Sequence, residues 1–156
     1  MADKPKKRRT VRVLLLDDQH RVLLLRGAQR ASWQPPGGGR KKGEKARAAA
    51  IREIAEQTGL RDLELGPELW RRRSSFHHDG VEIEQRERWF LARVAPFEPD
   101  LRGLNAAQTG DLAAWRWWTL DELSTTADRL VPSDLAARLR HLVEHGPPAK
   151  PLDLGG

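Results

Sequence analysis

Glu53, Glu56 and Gln57 stand at i, i+3 and i+4 within Glu44–Thr58, a run rich in Ala, Glu, Arg and Ile whose spacing predicts a helix stopped by Gly59. That spacing puts the three side chains on one helix face. Two carboxylates and a carboxamide make an all-oxygen cluster. A hard divalent ion such as Mg²⁺ takes such donors, usually one or two protein carboxylates with water and phosphate oxygens for the rest. Arg52 adjoins the cluster and can fix a carboxylate by a bidentate contact. Upstream, Pro35-Pro36-Gly37-Gly38-Gly39 has the punctuation of a loop feeding the helix, and a helix N-terminus offers free amides and a positive dipole end to an anion. As a charge pattern alone, an ordinary solvated helix face is the simpler account of these residues. Their longer-range spacing decides otherwise.

The elements that must position them are read as follows. Val11–Leu16 and Arg21–Arg26, separated by Asp17-Asp18-Gln19-His20, form a β-hairpin. The two runs are nearly continuously apolar, so at least one strand is covered on both faces. Gly27–Gly39 reads as a loop. Leu69–Phe76 and Val81–Val94 form a second hairpin turning at His78-Asp79-Gly80. Pro96–Gly110 is a loop and Ala113–Trp118 a strand. Thr119-Leu120-Asp121-Glu122 carries a capping box opening a short helix. Pro132-Ser133 opens a last amphipathic helix, with Leu135, Leu139, Leu142 and Val143 on one face and Gly146 at its end. Strands and helices mix without regular βαβ alternation, which predicts an α+β sandwich around a mixed β-sheet. The expected organisation is a basic tail over residues 1–10, one domain over 11–146 and a loose tail over 147–156.

Gly38, then Glu44 after five residues, then Arg52-Glu53-Ile54-Ala55-Glu56-Gln57-Thr58-Gly59-Leu60 after seven more, closely resembles the Nudix box. That box asks for Gly, Glu, Arg, Glu, aliphatic, Glu, Glu, Gly and aliphatic at these offsets, and the one departure is Gln57. The likeness extends outward. Trp33–Gly39 resembles the family's Trp-x-x-Pro-Gly-Gly-Gly approach to the box, and Trp115–Leu123 resembles its downstream strand and short helix, so about residues 11–145 are covered. The resemblance implies an α/β/α sandwich around a mixed β-sheet and a MutT-like pyrophosphatase that hydrolyses a nucleoside diphosphate linked to another group, with Mg²⁺ or Mn²⁺. It implies Glu53 and Glu56 as metal ligands, one of them also able to activate water, with Gln57 and the carbonyl of Gly37 or Gly38 completing the set. Arg52 would orient a carboxylate and Glu44 would brace the loop–helix junction. Metal-assisted attack of water on phosphorus needs such a site, because the ion neutralises phosphate charge and lowers the pKa of bound water.

Gln57 keeps an oxygen but loses a charge where the family has Glu, which weakens a metal site without forbidding it. Many relatives place another acid before the Trp-rich strand; Gly103–Gly110 has none and offers Gln108, with Asp111, Glu98 and Glu87 as substitutes unassigned by spacing. Arg26, Gly38, Gly39 and Arg40 are the candidate substrate contacts, Arg26 being equally readable as a solvated strand-end residue. Arg40, Lys41, Lys42, Lys45 and Arg47 rim the box and read as a solvated face able to draw in a polyphosphate. His77-His78 reads as a surface turn, since no third His or Cys lies at zinc-like spacing. Among the six tryptophans, Trp89, Trp115, Trp117 and Trp118 read as core or cleft wall, with base stacking as an alternative for one.

The chain has 156 residues, enough for one domain. No stretch approaches the roughly 20 apolar residues of a membrane-spanning helix. With no cysteine there is no disulfide framework or thiolate site, which fits a cytoplasmic location, and the family's cysteine-dependent isomerase branch is excluded. The formal charge is +6, but residues 1–10 contribute +4 of it, leaving 23 basic against 21 acidic groups in the rest. The expected partner is therefore a small nucleotide, such as a nucleoside triphosphate or nucleotide sugar. Nucleic acid and membrane are not expected as partners, and a homodimer is left open. Two alternatives stand beside this one: a degenerate nucleotide binder with little turnover, suggested by Gln57 and Gln108, and an RNA 5′-end hydrolase or RNA binder using the basic tail.

Overall fold

The computed structural model describes residues 4–27, 31–100 and 112–155. Its strands are β1 (Lys6–Leu16), β2 (Val22–Gly27), β3 (Ser32–Gln34), β4 (Gly37–Gly39), β5 (Glu68–His78), β6 (Val81–Arg93), β7 (Leu112–Trp118), β8 (Arg129–Leu130) and β9 (Leu152–Asp153). The helices are α1 (Ala46–Thr58), α2 (Leu120–Thr125) and α3 (Leu135–His145). All nine strands join one mixed sheet in the order β8-β3-β2-β1-β6-β5-β9, with β4 added to β1 and β7 to β2. β1 runs parallel to β6, while β5 and β6 form the antiparallel hairpin expected between residues 69 and 94.

β1 shows why its sequence is apolar without alternation. Val11, Val13 and Leu15 enter the core packed with Ala46, Ala49, Ala50 and Ile54 of α1, whereas Leu14 and Leu16 enter the core packed with Leu123 of α2 and Leu135, Leu139 and Leu142 of α3. Successive strand residues point to opposite faces, so a strand with helices on both sides needs apolar residues throughout. The arrangement is the expected α/β/α sandwich. Its second core holds four tryptophans, with Trp33 edge-on to Trp118 at 5.2 Å and Trp70 tilted against Trp89 at 5.7 Å between ring centroids.

Three expectations are corrected. The basic stretch of residues 1–10 is not all tail: Lys6–Thr10 form the first half of β1, held by eleven residues of parallel pairing with β6 that start at Lys6–Ile83. The tail of residues 147–156 contributes β9, where Leu152 and Asp153 lie opposite Trp70 and Arg71. Gly27–Gly39 is not a plain loop, because β3 pairs with β2 and β4 pairs with β1 within it. Short strands made of Ser-Trp-Gln and Gly-Gly-Gly lack the β-branched residues by which strands are recognised; tertiary pairing alone fixes them. The loop expected at Pro96–Gly110 lies outside the described residues beyond Asp100. None of the described helices is long and apolar enough to cross a membrane.

Candidate active site

β1 and β2 meet at Leu16–Val22 and then diverge, β1 taking β4 at Thr10–Arg12 and β2 taking β3 at Leu25–Arg26. The Pro35–Gly39 segment bridges that divergence. Glycine is required there for closeness: a Cβ on Gly37 would stand 2.0 Å from the Val11 carbonyl oxygen, and one on Gly38 would stand 2.6 Å from Oε2 of Glu53. The glycine run is therefore a strand laid against β1 with the box helix directly behind it. It is not the free phosphate cradle that its composition suggested, and Arg40–Lys45 separate it from the first turn of α1.

Arg52 organises the box. Its Nε and Nη2 donate to Oε2 and Oε1 of Glu44 at 2.8 and 2.9 Å, a bidentate pair; Nη2 also donates to the Gly39 carbonyl at 2.9 Å. Its Nη1 donates to Oε1 of Glu53 at 2.9 Å and to Oε2 of Glu56 at 3.2 Å, so one N–H group gathers both carboxylates. Glu44 also accepts from the Lys41 amide at 2.9 Å, and its own carbonyl accepts from Arg40 Nε and Nη2. Hydrogen bonds from Arg52 first, then the Lys41 amide, hold the Glu44 carboxyl at about 2, against an ordinary 4.5. Glu44 first, and Glu53 after it, raise the pKa of Arg52 further above its usual range against the effect of burial.

Glu53 is 5% exposed. Burial pushes its pKa up, opposed by its contacts with Arg52 and, more weakly, by the charge of Arg12. Glu56 reaches solvent, with 39% of its side chain exposed. Gln57 does something its position in the box did not foretell. Its Oε1 accepts from the Gly37 amide at 3.0 Å and its Nε2 donates to the Gly37 carbonyl at 2.6 Å, lying also 3.3 Å from Glu53 Oε2. A carboxylate cannot donate, so this two-point clasp needs the carboxamide.

The donor set suits a hard divalent ion through Glu53 and Glu56, whose oxygens converge on one side of α1 and which carry more negative charge, with Glu44, than Arg52 cancels. Gly37 and Gln57 are instead engaged with each other. Of the substitutes for a further acid, Glu98 is exposed, and Gln108 and Asp111 lie outside the described residues. Glu87 is buried but committed elsewhere, accepting from Arg72 Nη1 at 3.0 Å and Arg12 Nε at 3.4 Å. His77 and His78 end β5, exposed, as a surface turn would have them.

Glu87 marks a feature that sequence spacing did not disclose. A cleft of about 570 Å³ opens on the α2–α3 side of the sheet, lined by Arg8, Arg12, Arg72, Arg129, Phe76 and Glu87 among others. Its link to the box is direct: Arg12 lies opposite Gly37 in the β1–β4 register and donates to the Pro35 carbonyl at 3.2 Å. Period-two counting places Arg8 and Arg12 on the face of Leu14, and Arg72 and Phe76 on that of Trp70, but only the pairing of distant strands brings the two sets together. The aromatic ring in the cleft is Phe76, 37% exposed, rather than a tryptophan. Trp89 and Trp118 are core residues, and Trp115 and Trp117 pack against the α1-side core. Arg26 has its guanidinium 5.4 Å from the Trp33 ring and is not part of the described cleft lining.

The chain is similar to known proteins along most of its length. The chain is 34% identical over 129 residues to the RNA pyrophosphohydrolase of Francisella philomiragia, spanning 75% of this chain and 81% of that protein. It is also 34% identical over 145 residues to that of Caulobacter vibrioides, spanning 83% and 80%. Its fold superposes on a MutT protein from Methanosarcina mazei with a TM-score of 0.70, at 17% identity over 92% of this chain and 99% of the other. The family model for the NUDIX domain matches residues 6–142, and with the box geometry above this makes the chain a member of the Nudix family, a hydrolase of phosphoanhydride bonds.

Proposed function

We propose that the chain hydrolyses a phosphoanhydride at the 5′ end of a polyphosphorylated RNA, with the phosphates entering the arginine-lined cleft. The observation carrying this reading is the nearness of two oppositely charged places: the box carboxylates, with Glu53 against Gly38, and the arginine cleft, whose Arg12 lies opposite Gly37 and whose charge acts on Glu53. The relatives named RNA pyrophosphohydrolase favour RNA over the small nucleotide first expected, and the absence of nucleic acid from the expected partners is set aside accordingly. A bound Mg²⁺ or Mn²⁺, held by Glu53 and Glu56, would neutralise phosphate charge and acidify water. The protein's own part is distinct. Arg12 and Arg72 bind and orient phosphate oxygens, Arg52 aims both carboxylates, and buried Glu53, its pKa raised, takes the proton from an attacking water.

The test is release of phosphate or pyrophosphate from a 5′-triphosphorylated oligoribonucleotide, ATP, GTP and a nucleotide sugar, each with Mg²⁺ and Mn²⁺. RNA is expected to give the highest kcat/KM. Faster turnover of a free nucleotide would restore the small-nucleotide reading. Tight binding of all four without turnover, relieved by Gln57→Glu, would establish a degenerate binder.

A further inference from the structure

The opposite, α1-side face of the sheet carries a second concentration of positive charge, which borders the cleft at Arg72 and Glu87. Parallel pairing sets Arg9 of β1 beside Arg86 of β6, and antiparallel pairing sets Arg86 beside Arg73 of β5, so three arginines stand abreast on adjacent strands. Strands lie about 4.8 Å apart, and like charges directly opposite one another destabilise a sheet. Glu84 answers two of the three, at 3.1 Å from Arg86 and 3.6 Å from Arg73. Among the described residues, Arg9 has no carboxylate within ion-pair distance, and neither do Lys7, Arg40, Lys41, Lys42 or Lys45.

Two depressions run together here. One, of about 240 Å³, is lined by arginines of β5 and β6 together with Arg9 and Arg40, against the two carboxylates of Glu87 and Asp153. The other, of about 460 Å³, is lined by Lys7, Lys41, Lys42 and Lys45 together with the same Arg9 and Arg40. The Arg40 amide donates to the Arg9 carbonyl at 2.9 Å, directly after the Gly39 whose carbonyl Arg52 holds. The groove thus starts at the edge of the box and leads away from it across three strands.

We propose that this groove binds the sugar-phosphate backbone of the RNA downstream of the 5′ end being hydrolysed. The inference rests on the RNA reading above and extends it from the terminal phosphates to the body of the strand. A single phosphate would satisfy one or two of these cations, whereas a linear polyanion satisfies the row and its continuation together. Every side chain in the lining is charged and none is aromatic, so the groove follows backbone charge and leaves base sequence unread.

The experiment measures binding of 3′-labelled, 5′-triphosphorylated oligoribonucleotides of two and fourteen nucleotides by fluorescence anisotropy, at salt from 50 to 200 mM, with the full chain and a triple variant, Lys7→Gln, Arg9→Gln, Arg73→Gln. All three side chains are exposed. The full chain should bind the longer RNA at least tenfold more tightly at low salt. The variant should lose that advantage, and its log–log salt slope for the longer RNA should fall by about 2, at roughly 0.7 per lost phosphate contact. Its hydrolysis of the dinucleotide should be unchanged. Equal affinity for both lengths in the full chain, or a length advantage that survives in the variant, would overturn the groove. So would displacement of the longer RNA by polyglutamate as readily as by unlabelled RNA. If neither RNA is hydrolysed yet the length advantage appears and vanishes in the variant, the groove stands and the assigned reaction falls. If both are hydrolysed and bound alike, the reverse holds.

Discussion

In the middle of α1 one guanidinium, Arg52, is surrounded by three carboxylates; in the cleft one carboxylate, Glu87, is surrounded by guanidinia. The first arrangement is left net negative and suits a cation. The second is left net positive and suits phosphate. In both, the minority charge is a positioning device: Arg52 aligns carboxylates that would otherwise repel one another, and Glu87 does the same for Arg12 and Arg72. Arg12 belongs to both, since it pairs with Glu87, lies opposite Gly37 and lowers the pKa of Glu53 against burial.

The most severe way to break the comparison is Glu53→Gln, which removes a carboxylate from the negative side while keeping its shape. It should lower kcat by about 10³-fold or more, by analogy with losses of general bases and metal ligands, and weaken Mn²⁺ binding followed by electron paramagnetic resonance. Retained hydrolysis would remove Glu53 from the chemistry. On the positive side, Arg12→Met leaves buried Glu87 with Arg72 and should cost about 2 kcal/mol in denaturant unfolding, less than the roughly 3–5 kcal/mol of a fully broken buried pair. It should also raise KM more than it lowers kcat. Because Arg12 favours the charged form of Glu53, the acid limb of the Glu53 titration in the metal-free chain, followed by NMR, should move to higher pH in this variant. An unmoved limb would uncouple the two places.

Gln57→Glu sharpens the comparison by adding charge to the negative side. The new carboxylate loses the donor to the Gly37 carbonyl and faces Glu53, so metal-free stability should drop by about 1–2 kcal/mol while Mn²⁺ affinity rises a few-fold. Tighter metal binding without loss of stability would mean that the clasp contributes nothing. The gentlest perturbation is acid. Arg52 holds the Glu44 carboxyl at about 2; burial alone would raise Glu68, but Arg88 and Arg71 outweigh it and hold that carboxyl at about 2 as well. Both pKa values are depressed on folding, so their stabilisation is present above about 4.5 and is lost as pH falls from there towards 2. Unfolding midpoints should decline across that window, and the decline should be smaller in Glu68→Gln.

The box, both hairpins, the capping box of α2 and the last helix were legible because each is local: a fixed spacing, a period or a cap states them within about twenty residues. Thr119 and Glu122 form the reciprocal cap that their spacing implies. What was not legible depends on pairing between distant segments. Gly37–Gly39 becomes a strand only because β1 is beside it, and residues 6–10 count as strand only because β6 runs alongside. The cleft escaped for the same reason, since Arg12, Arg72 and Glu87 sit on three strands whose register no local pattern gives. Gln57 was read as a weakened ligand because the box compares it with Glu; its use as a donor becomes visible once Gly37 is in place.

The Gln57 carboxamide has the same groups as a peptide unit, one N–H donor and one carbonyl acceptor, and it meets Gly37 as a neighbouring strand would. The last turn of α1 thereby contributes a one-rung strand to the sheet. The box helix and β4 are zipped together before any ion arrives, and melting that turn should unfasten β4 from β1. Protection of the Gly37 amide against hydrogen exchange would thus report on the helix as much as on the strand.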